Sequence, residues 1–289
     1  MSNRKKRAEI AQETLQILAQ GKYIDQSQNT IDIKNSLTKS VDDTLLYTPT
    51  SFDEKVLVSS NQALKELDFD TQYEVTTETT LQAAKRLVEG ENYTKVGVLN
   101  FASAKNPGGG FLGGSQAQEE SLARASGLYA CLEPQQEMYL TNRKRKTGLY
   151  LDYMVYSPDV PVFRNDDDQL LNSPYMISVI TAPAVNAGSV KANYPAEQDL
   201  IATTMLARTE KVLTLAVLHQ HEVLVLGAWG CGVFKNNPKD IAQYFATHLF
   251  GEGKFNRAFR KIVFAVYSGQ KQNPNLPAFE KHFGHEQIL

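Results

Sequence analysis

The chain has 289 residues, 42% hydrophobic and 9% aromatic, with a net charge of −2. This is the composition of a globular protein with a substantial core. It excludes bulk nucleic-acid binding through a basic face, though an anion held locally by backbone N–H groups stays open. Cys131 and Cys231 are the only cysteines, which excludes a disulfide scaffold and leads us to expect a reduced, cytoplasmic protein. The start is basic and then amphipathic, without the apolar stretch of a secretory signal, and no apolar run is long enough to span a bilayer.

In chain order, Ala8, Ala11, Leu15 and Leu18 recur at spacings of three and four, which predicts an amphipathic helix stopped by Gly21. A polar stretch from Asp25 to Asp43 follows, with room for a short strand at Ile31–Ile33. KVLVSS at 55–60 reads as a strand. TTLQAAKRLVEG reads as a helix with Leu81, Ala84, Leu87 and Val88 on one face, ended by Gly90. KVGVLNFAS is an apolar, buried strand leading into a dense glycine cluster, and ESLARASGLYACL returns to helical spacing. YMVYSP and YMISVITAP read as strands, residues from about Glu197 to Leu218 as a long helix, and EVLVLGAWGCGVF as a strand entering a second glycine loop. Asn237-Pro238 is an N-cap followed by proline at the first helical position, and KIVFAVYSG is a last strand. Strands alternating with helices predict an α/β sheet covered on both faces.

Both glycine loops have the same context of apolar strand, glycines, then helix. In open α/β sheets ligands bind at the carboxyl ends of strands, where helix N-termini offer unpaired N–H groups to phosphate. The first loop holds Gly108, Gly109 and Gly110, and the second Gly227, Gly230 and Gly232. Neither matches the dinucleotide or P-loop signatures. Just past the first loop stand Gln118, Glu119 and Glu120. Two readings of the Glu pair are open: acid–base chemistry, or acidic residues favoured in a first helical turn by the macrodipole. His219 and His221 lack a nearby third ligand and read as the end of a loop, not as a metal site. Trp229, inside the second loop, reads as a core anchor.

Gly108-Gly109-Gly110, seven residues, then Gln118-Glu119-Glu120 resembles the signature of poly(ADP-ribose) glycohydrolases. The stretches RAEIAQETLQILAQGKY, VLNFASAKNPGGGFLGGSQAQEESLARASGLY, YSPDVPVFR, ITAPAVNAG and VLGAWGCGVFKNNP extend the resemblance to the bacterial-type branch over most of the chain. It implies a macrodomain-like mixed sheet between helices (residues 51–289), with residues 1–50 as a helical accessory extension packed on that core. It also implies hydrolysis of ribose–ribose bonds in poly(ADP-ribose), from chain ends, releasing ADP-ribose.

Carried over by position, Glu120 is the general acid/base and Glu119 holds the neighbouring ribose hydroxyls. Gly108, Gly109 and Gly110 floor the catalytic loop, with Gln118 beside them, and Asn100 orients the distal ribose. Gly230, Cys231, Gly232, Val233 and Phe234 wrap the diphosphate, and Tyr267 stacks on adenine. No cofactor, metal, membrane or direct DNA contact is implied, and a monomer is expected. Two other readings stay open: a macrodomain that binds ADP-ribose without cleaving it, and an enzyme removing single ADP-ribose units. A proton donor at neutral pH needs a raised pKa, for which a like-charged neighbour and exclusion of water are the expected sources.

Overall fold

The computed structural model describes residues 3–52, 54–270 and 272–284. The helices are α1 (Asn3–Gln20), α2 (Lys34–Asp42), α3 (Glu54–Leu64), α4 (Thr80–Lys85), α5 (Gln118–Ala125), α6 (Leu128–Leu132), α7 (Gln136–Lys144), α8 (Ala187–Asn193), α9 (Leu200–Leu218), α10 (Pro238–Leu249) and α11 (Leu276–Phe283). The strands are β1 (Lys22–Ile24), β2 (Thr30–Asp32), β3 (Leu45–Tyr47), β4 (Gln72–Thr76), β5 (Val96–Phe101), β6 (Met154–Arg164), β7 (Leu170–Ala182), β8 (Val223–Leu226) and β9 (Lys261–Ala265). β1 and β2 form a small hairpin; the other strands form one seven-stranded sheet in the order β3-β6-β7-β5-β8-β9-β4. β7, β5, β8, β9 and β4 pair in parallel, whereas β3 and β6 run antiparallel to their neighbours. The sheet is therefore mixed, as expected.

The central strands alternate their side chains between two cores. Val223 and Val225 of β8 and Val263 of β9 join Val96 and Val98 under α4 to α7. Leu224, Leu226, Ile262 and Phe264 face the other way, toward α9, α10 and α11. Burial on both faces explains why these strands read as unbroken apolar runs instead of alternating ones. Each such side chain contributes about 1.5–3 kcal/mol on removal from water.

Two expectations need correction. Residues 55–60 belong to helix α3, not to a strand. Val56, Ala63 and Leu64 pack on the α9 side of the core while Val58 is 59% exposed, a helical pattern that alternation would forbid. The single helix expected after the glycine cluster is two, α5 and α6, because Ser126 is extended and bridges to Val162 of β6. The polar stretch 25–43 contains the expected short strand, as β2, but also helix α2. The long helix starts at Leu200, after a turn at Pro195–Glu197. Asn237 caps α10 as expected, its side chain accepting from Lys239 N.

α1 lies on the first glycine loop. Its buried face is Ile10, Ala11, Thr14 and Ile17, with Leu15 and Leu18 at the margin. Arg4 Nε donates to Gly113 O and Arg7 Nε to Gly114 O, each at 2.9 Å, and Thr14 Oγ1 donates to Arg124 O at 2.7 Å. Gly114 has φ +73°, and a side chain there would collide with the α1 backbone. β3, from the same N-terminal region, adds an edge strand to the main sheet beside β6.

Candidate active site

β5 and β8 pair only from Val96/Val223 to Val98/Val225, so the sheet opens between their carboxyl ends. Gln118 fills the opening. Its Oε1 accepts from Phe101 N at 2.8 Å, and its Nε2 donates to Leu99 O at 2.7 Å and Thr80 Oγ1 at 3.2 Å. The side-chain amide thus satisfies the backbone groups that a departing strand would leave bare. It also fixes the first residue of α5 against β5, and with it the two glutamates that follow.

Glu119 points into the protein and is 3% exposed. Its Oε2 accepts from Ser103 N at 2.7 Å, and Asn100 Nδ2 approaches Oε1 at 3.4 Å. Burial pushes its carboxyl up to about 8; the Ser103 N–H pulls the other way, and the neighbouring charge of Glu120 adds to the rise. Asn100 is fully buried, and its Nδ2 also donates to Thr181 Oγ1, its register partner across β5 and β7, at 3.2 Å. Asn100 Oδ1 is buried with no hydrogen-bond partner among the described residues. A buried acceptor left free beside a buried carboxyl is the kind of group a ligand hydroxyl satisfies.

Glu120 turns the other way, over the glycine loop. Its Oε1 accepts from Gly110 N at 3.0 Å. Gly109, at φ +62°, lies directly beneath: a β-carbon there would overlap Glu120 Oε1 and come within 3.0 Å of Glu119 Oε2. Gly108 has φ +67°, and a β-carbon on it would press on Phe111, whose buried ring anchors the loop against Tyr129 at 4.8 Å. The glycines therefore let the chain run flush under two carboxyl groups, which no side chain would permit. The acidic pair stands in the first turn of α5, so the macrodipole reading of its position also holds.

The second loop lies beside the first, past β8. Trp229 is fully buried, its Nε1 donating to Ala182 O at 3.1 Å, so it anchors the loop as expected. Gly230 has φ +72° and sits against Ala184 and Asn236; Asn236 Nδ2 donates to Val185 O at 2.7 Å and Gly230 O at 3.1 Å. At Gly232, by contrast, a β-carbon would meet nothing within 4 Å, so this backbone faces open space. Val233 is 83% exposed and Phe234 half-buried beside Tyr150. Burial pushes the Cys231 thiol up to about 12, which leaves it no nucleophilic character at neutral pH. Tyr267 is exposed two residues past β9, one strand further along the same edge.

The sheet thus brings Asn100, Glu119, Glu120 and the first loop into one constellation, with the second loop adjacent and Tyr267 at its flank. Thr181, Ser103 and the free oxygen of Asn100 were not foreseen, because strand register is invisible in the sequence. His219 and His221 lie at the opposite edge, before β8. His219 Nε2 shares a hydrogen bond with Tyr47 Oη and His221 Nε2 with Tyr156 Oη, and burial lowers the pKa of both rings, to about 4 for His219.

A mixed sheet whose carboxyl edge carries two glycine loops and an inward and an outward carboxyl group defines a macrodomain-like glycohydrolase. Comparison with solved structures agrees. Poly(ADP-ribose) glycohydrolase from Thermomonospora curvata, bound to the inhibitor ADP-HPD, is 42% identical, with a TM-score of 0.87 over 96% of this chain and 100% of that one. The glycohydrolase from Deinococcus radiodurans in complex with ADP-ribose is 43% identical, with a TM-score of 0.77 over 85% and 96% of the two chains. The family profile of the microbial-type PARG catalytic domain matches residues 11–165. A comparison with curated proteins gives no significant match. The chain belongs to the microbial-type poly(ADP-ribose) glycohydrolase family.

Proposed function

We propose that the protein hydrolyses ribose–ribose O-glycosidic bonds of poly(ADP-ribose), working from chain ends, with Glu120 as the general acid/base. The observation that carries this reading is the pose of Glu120. One oxygen is fixed by Gly110 N, and the other has no hydrogen-bond partner among the described residues, above a loop with no side chain to obstruct a sugar. A protein that only binds ADP-ribose has no use for a carboxyl group held in this way.

Glycosidic cleavage passes through an oxocarbenium-like state and needs a proton on the leaving oxygen. Glu120 donates that proton, so the departing ribose leaves as an alcohol. As carboxylate it then takes a proton from water, whose oxygen adds to the anomeric carbon and yields ADP-ribose. Glu119 and Asn100 Oδ1 accept hydroxyls of the reacting ribose, while Gln118 keeps the first turn of α5 in place. Burial favours the protonated form of Glu119 at neutral pH, so a carboxylic acid, not a second full charge, stands beside Glu120. The N–H groups of residues 230–234 and the open face at Gly232 suit a diphosphate, as in other glycine loops at helix starts. Tyr267 is the candidate for adenine, supported by its exposure and its position on the same sheet edge.

Residues 1–50 act as an accessory segment of one unit with the catalytic domain at 51–289, a reading supported by the bonds from α1 to Gly113, Gly114 and Arg124. We read the protein as a monomer of the cytoplasm, without direct DNA binding. Its two free thiols suit a reducing compartment. Among the described residues no helix is long and apolar enough to cross a membrane. Incubation with purified poly(ADP-ribose), with products separated by chromatography, tests the reading. Free ADP-ribose as the main product supports it; intact polymer, or internal fragments without ADP-ribose, refutes it.

A further inference from the structure

The segment from Arg143 to Tyr150 bridges the two glycine loops. At one end, Arg143 Nε donates to Lys105 O at 2.6 Å and Arg143 Nη2 to Asn106 Oδ1 at 3.2 Å. Asn106 O accepts in turn from Gly109 N at 3.1 Å, so this end is tied to the catalytic loop. At the other end, Gly148 O accepts from Asn186 N at 2.8 Å, and the Tyr150 ring lies 6.0 Å from that of Phe234 in the second loop. Lys105 Nζ stands 5.8 Å from the centre of the Tyr150 ring, closing the bridge on itself.

This bridge is strongly basic. Arg143, Lys144, Arg145 and Lys146 are consecutive and exposed, with Lys105 at the first loop and Lys235 at the second. Among the described residues none of these six forms an ion pair; isolated lysines such as Lys65 and Lys191 also lack one, but here the unpaired cations are adjacent. Arg143 and Lys144 close the last turn of α7, where cations complement the helix dipole. That accounts for two of the four consecutive charges. Arg145 and Lys146 lie beyond the helix, and like charges crowded without partners oppose folding. The chain as a whole is slightly acidic, and this run concentrates charge on the segment that joins the two loops; the other run of four cations, Arg4 to Arg7, lies on α1, where Arg4 and Arg7 bind the carbonyls of Gly113 and Gly114.

We infer that the rim binds the diphosphate groups of polymer units beyond the one being cleaved, so that the enzyme favours long chains over short ones. The inference rests on the hydrolase reading above. Each polymer unit carries a diphosphate, and a chain whose terminal unit occupies the cleft has to leave across the cleft mouth. Cations there neutralise the phosphates and release counterions, which makes binding strongly dependent on salt. An acidic acceptor protein is the competing occupant; the polymer is favoured because its end unit, seated between the two loops, brings the next diphosphate close to the segment that joins them.

The test compares the wild type with a Lys144→Gln, Arg145→Gln, Lys146→Gln triple variant, with folding checked by thermal melts. None of the three carries a proposed catalytic or ADP-ribose contact. On long polymer the variant is expected to lose about tenfold or more in kcat/KM, mainly through KM, with a smaller loss on two-unit chains. Its calorimetric Kd for free ADP-ribose stays at the wild-type value. The slope of log kcat/KM against log salt is expected to fall in magnitude by about 2 for three lost phosphate contacts. Should the triple variant not melt cooperatively, Arg145→Gln alone is expected to give about a third of the slope change. Wild-type efficiency and salt slope on long polymer overturn the inference, as does an equal loss on free ADP-ribose. A loss confined to protein-linked chains assigns the rim to the acceptor protein and overturns it too. No ADP-ribose released by the wild type from any polymer refutes the hydrolase reading itself, and this inference with it.

Discussion

Glu119 and Glu120 are adjacent in sequence and opposite in surroundings. A helical first turn separates neighbouring side chains by about 100°, so one glutamate turns to the core and the next to the cleft. The core-facing one is held where its charge is disfavoured, a stability sacrifice of the kind common at functional sites. Its sign is fixed. A carboxyl raised to about 8 in the folded protein, from about 4.5 unfolded, binds a proton more readily in the fold. Stability is therefore fully present below about pH 4.5 and falls as pH rises toward 8. Glu119→Gln carries no charge to bury. It should melt at a temperature close to the parent's at pH 4.5 and clearly above it at pH 8, while its affinity for ADP-ribose drops. Parallel melting curves for parent and variant across that range would contradict the account of Glu119.

At the scale of elements, the site depends on the parting of β5 and β8. The loop after β8 is rigid at Trp229, Gly230 and Asn236 and bare at Gly232. Gly232→Val adds branching where the structure has room, so folding should be undisturbed. On the proposed reading the same atoms would stand between backbone N–H groups and the phosphate oxygens. We expect calorimetry to show ADP-ribose binding weakened at least tenfold, about 1.4 kcal/mol, with an unchanged melt. Unchanged affinity would move the diphosphate elsewhere.

These loops were legible because glycines interrupt apolar strands and an Asn-Pro cap opens the next helix. α3 was not, since KVLVSS is a short apolar run in which helix and strand periods look alike. Only its packing on α9, with Val56 inward and Val58 outward, separates the two. The partners of the glutamates were hidden for another reason. Ser103 contributes a backbone N–H, and Thr181 meets Asn100 through a strand register that no local pattern encodes.

For the whole molecule, the N-terminal segment and the sheet form a continuous structure around the first glycine loop. Leu15 packs at the edge of a small cluster of Ala11, Phe111 and Ala123, and Phe111 is the plug beneath the triple glycine. Leu15→Asp brings a charge to that contact. We expect a melting temperature lower by several degrees and a reduced soluble yield, since burying an unpaired charge is unfavourable. Because Arg4 and Arg7 grip the carbonyls of Gly113 and Gly114, some loss of turnover should accompany the loss of stability. An unchanged melt, with α1 cut by protease equally in both proteins, would make the segment a free arm.

The central claim is that one carboxyl group, over a floor of glycines, moves the proton that breaks the glycosidic bond. Glu120→Gln tests it most directly, because the amide keeps the size and the bond to Gly110 N but can neither donate nor retake a proton. Release of ADP-ribose from purified poly(ADP-ribose) should fall at least about a hundredfold. Calorimetry should show ADP-ribose still binding the variant at close to the parent's affinity. ADP-ribose released by the variant at near the parent's rate would contradict the account.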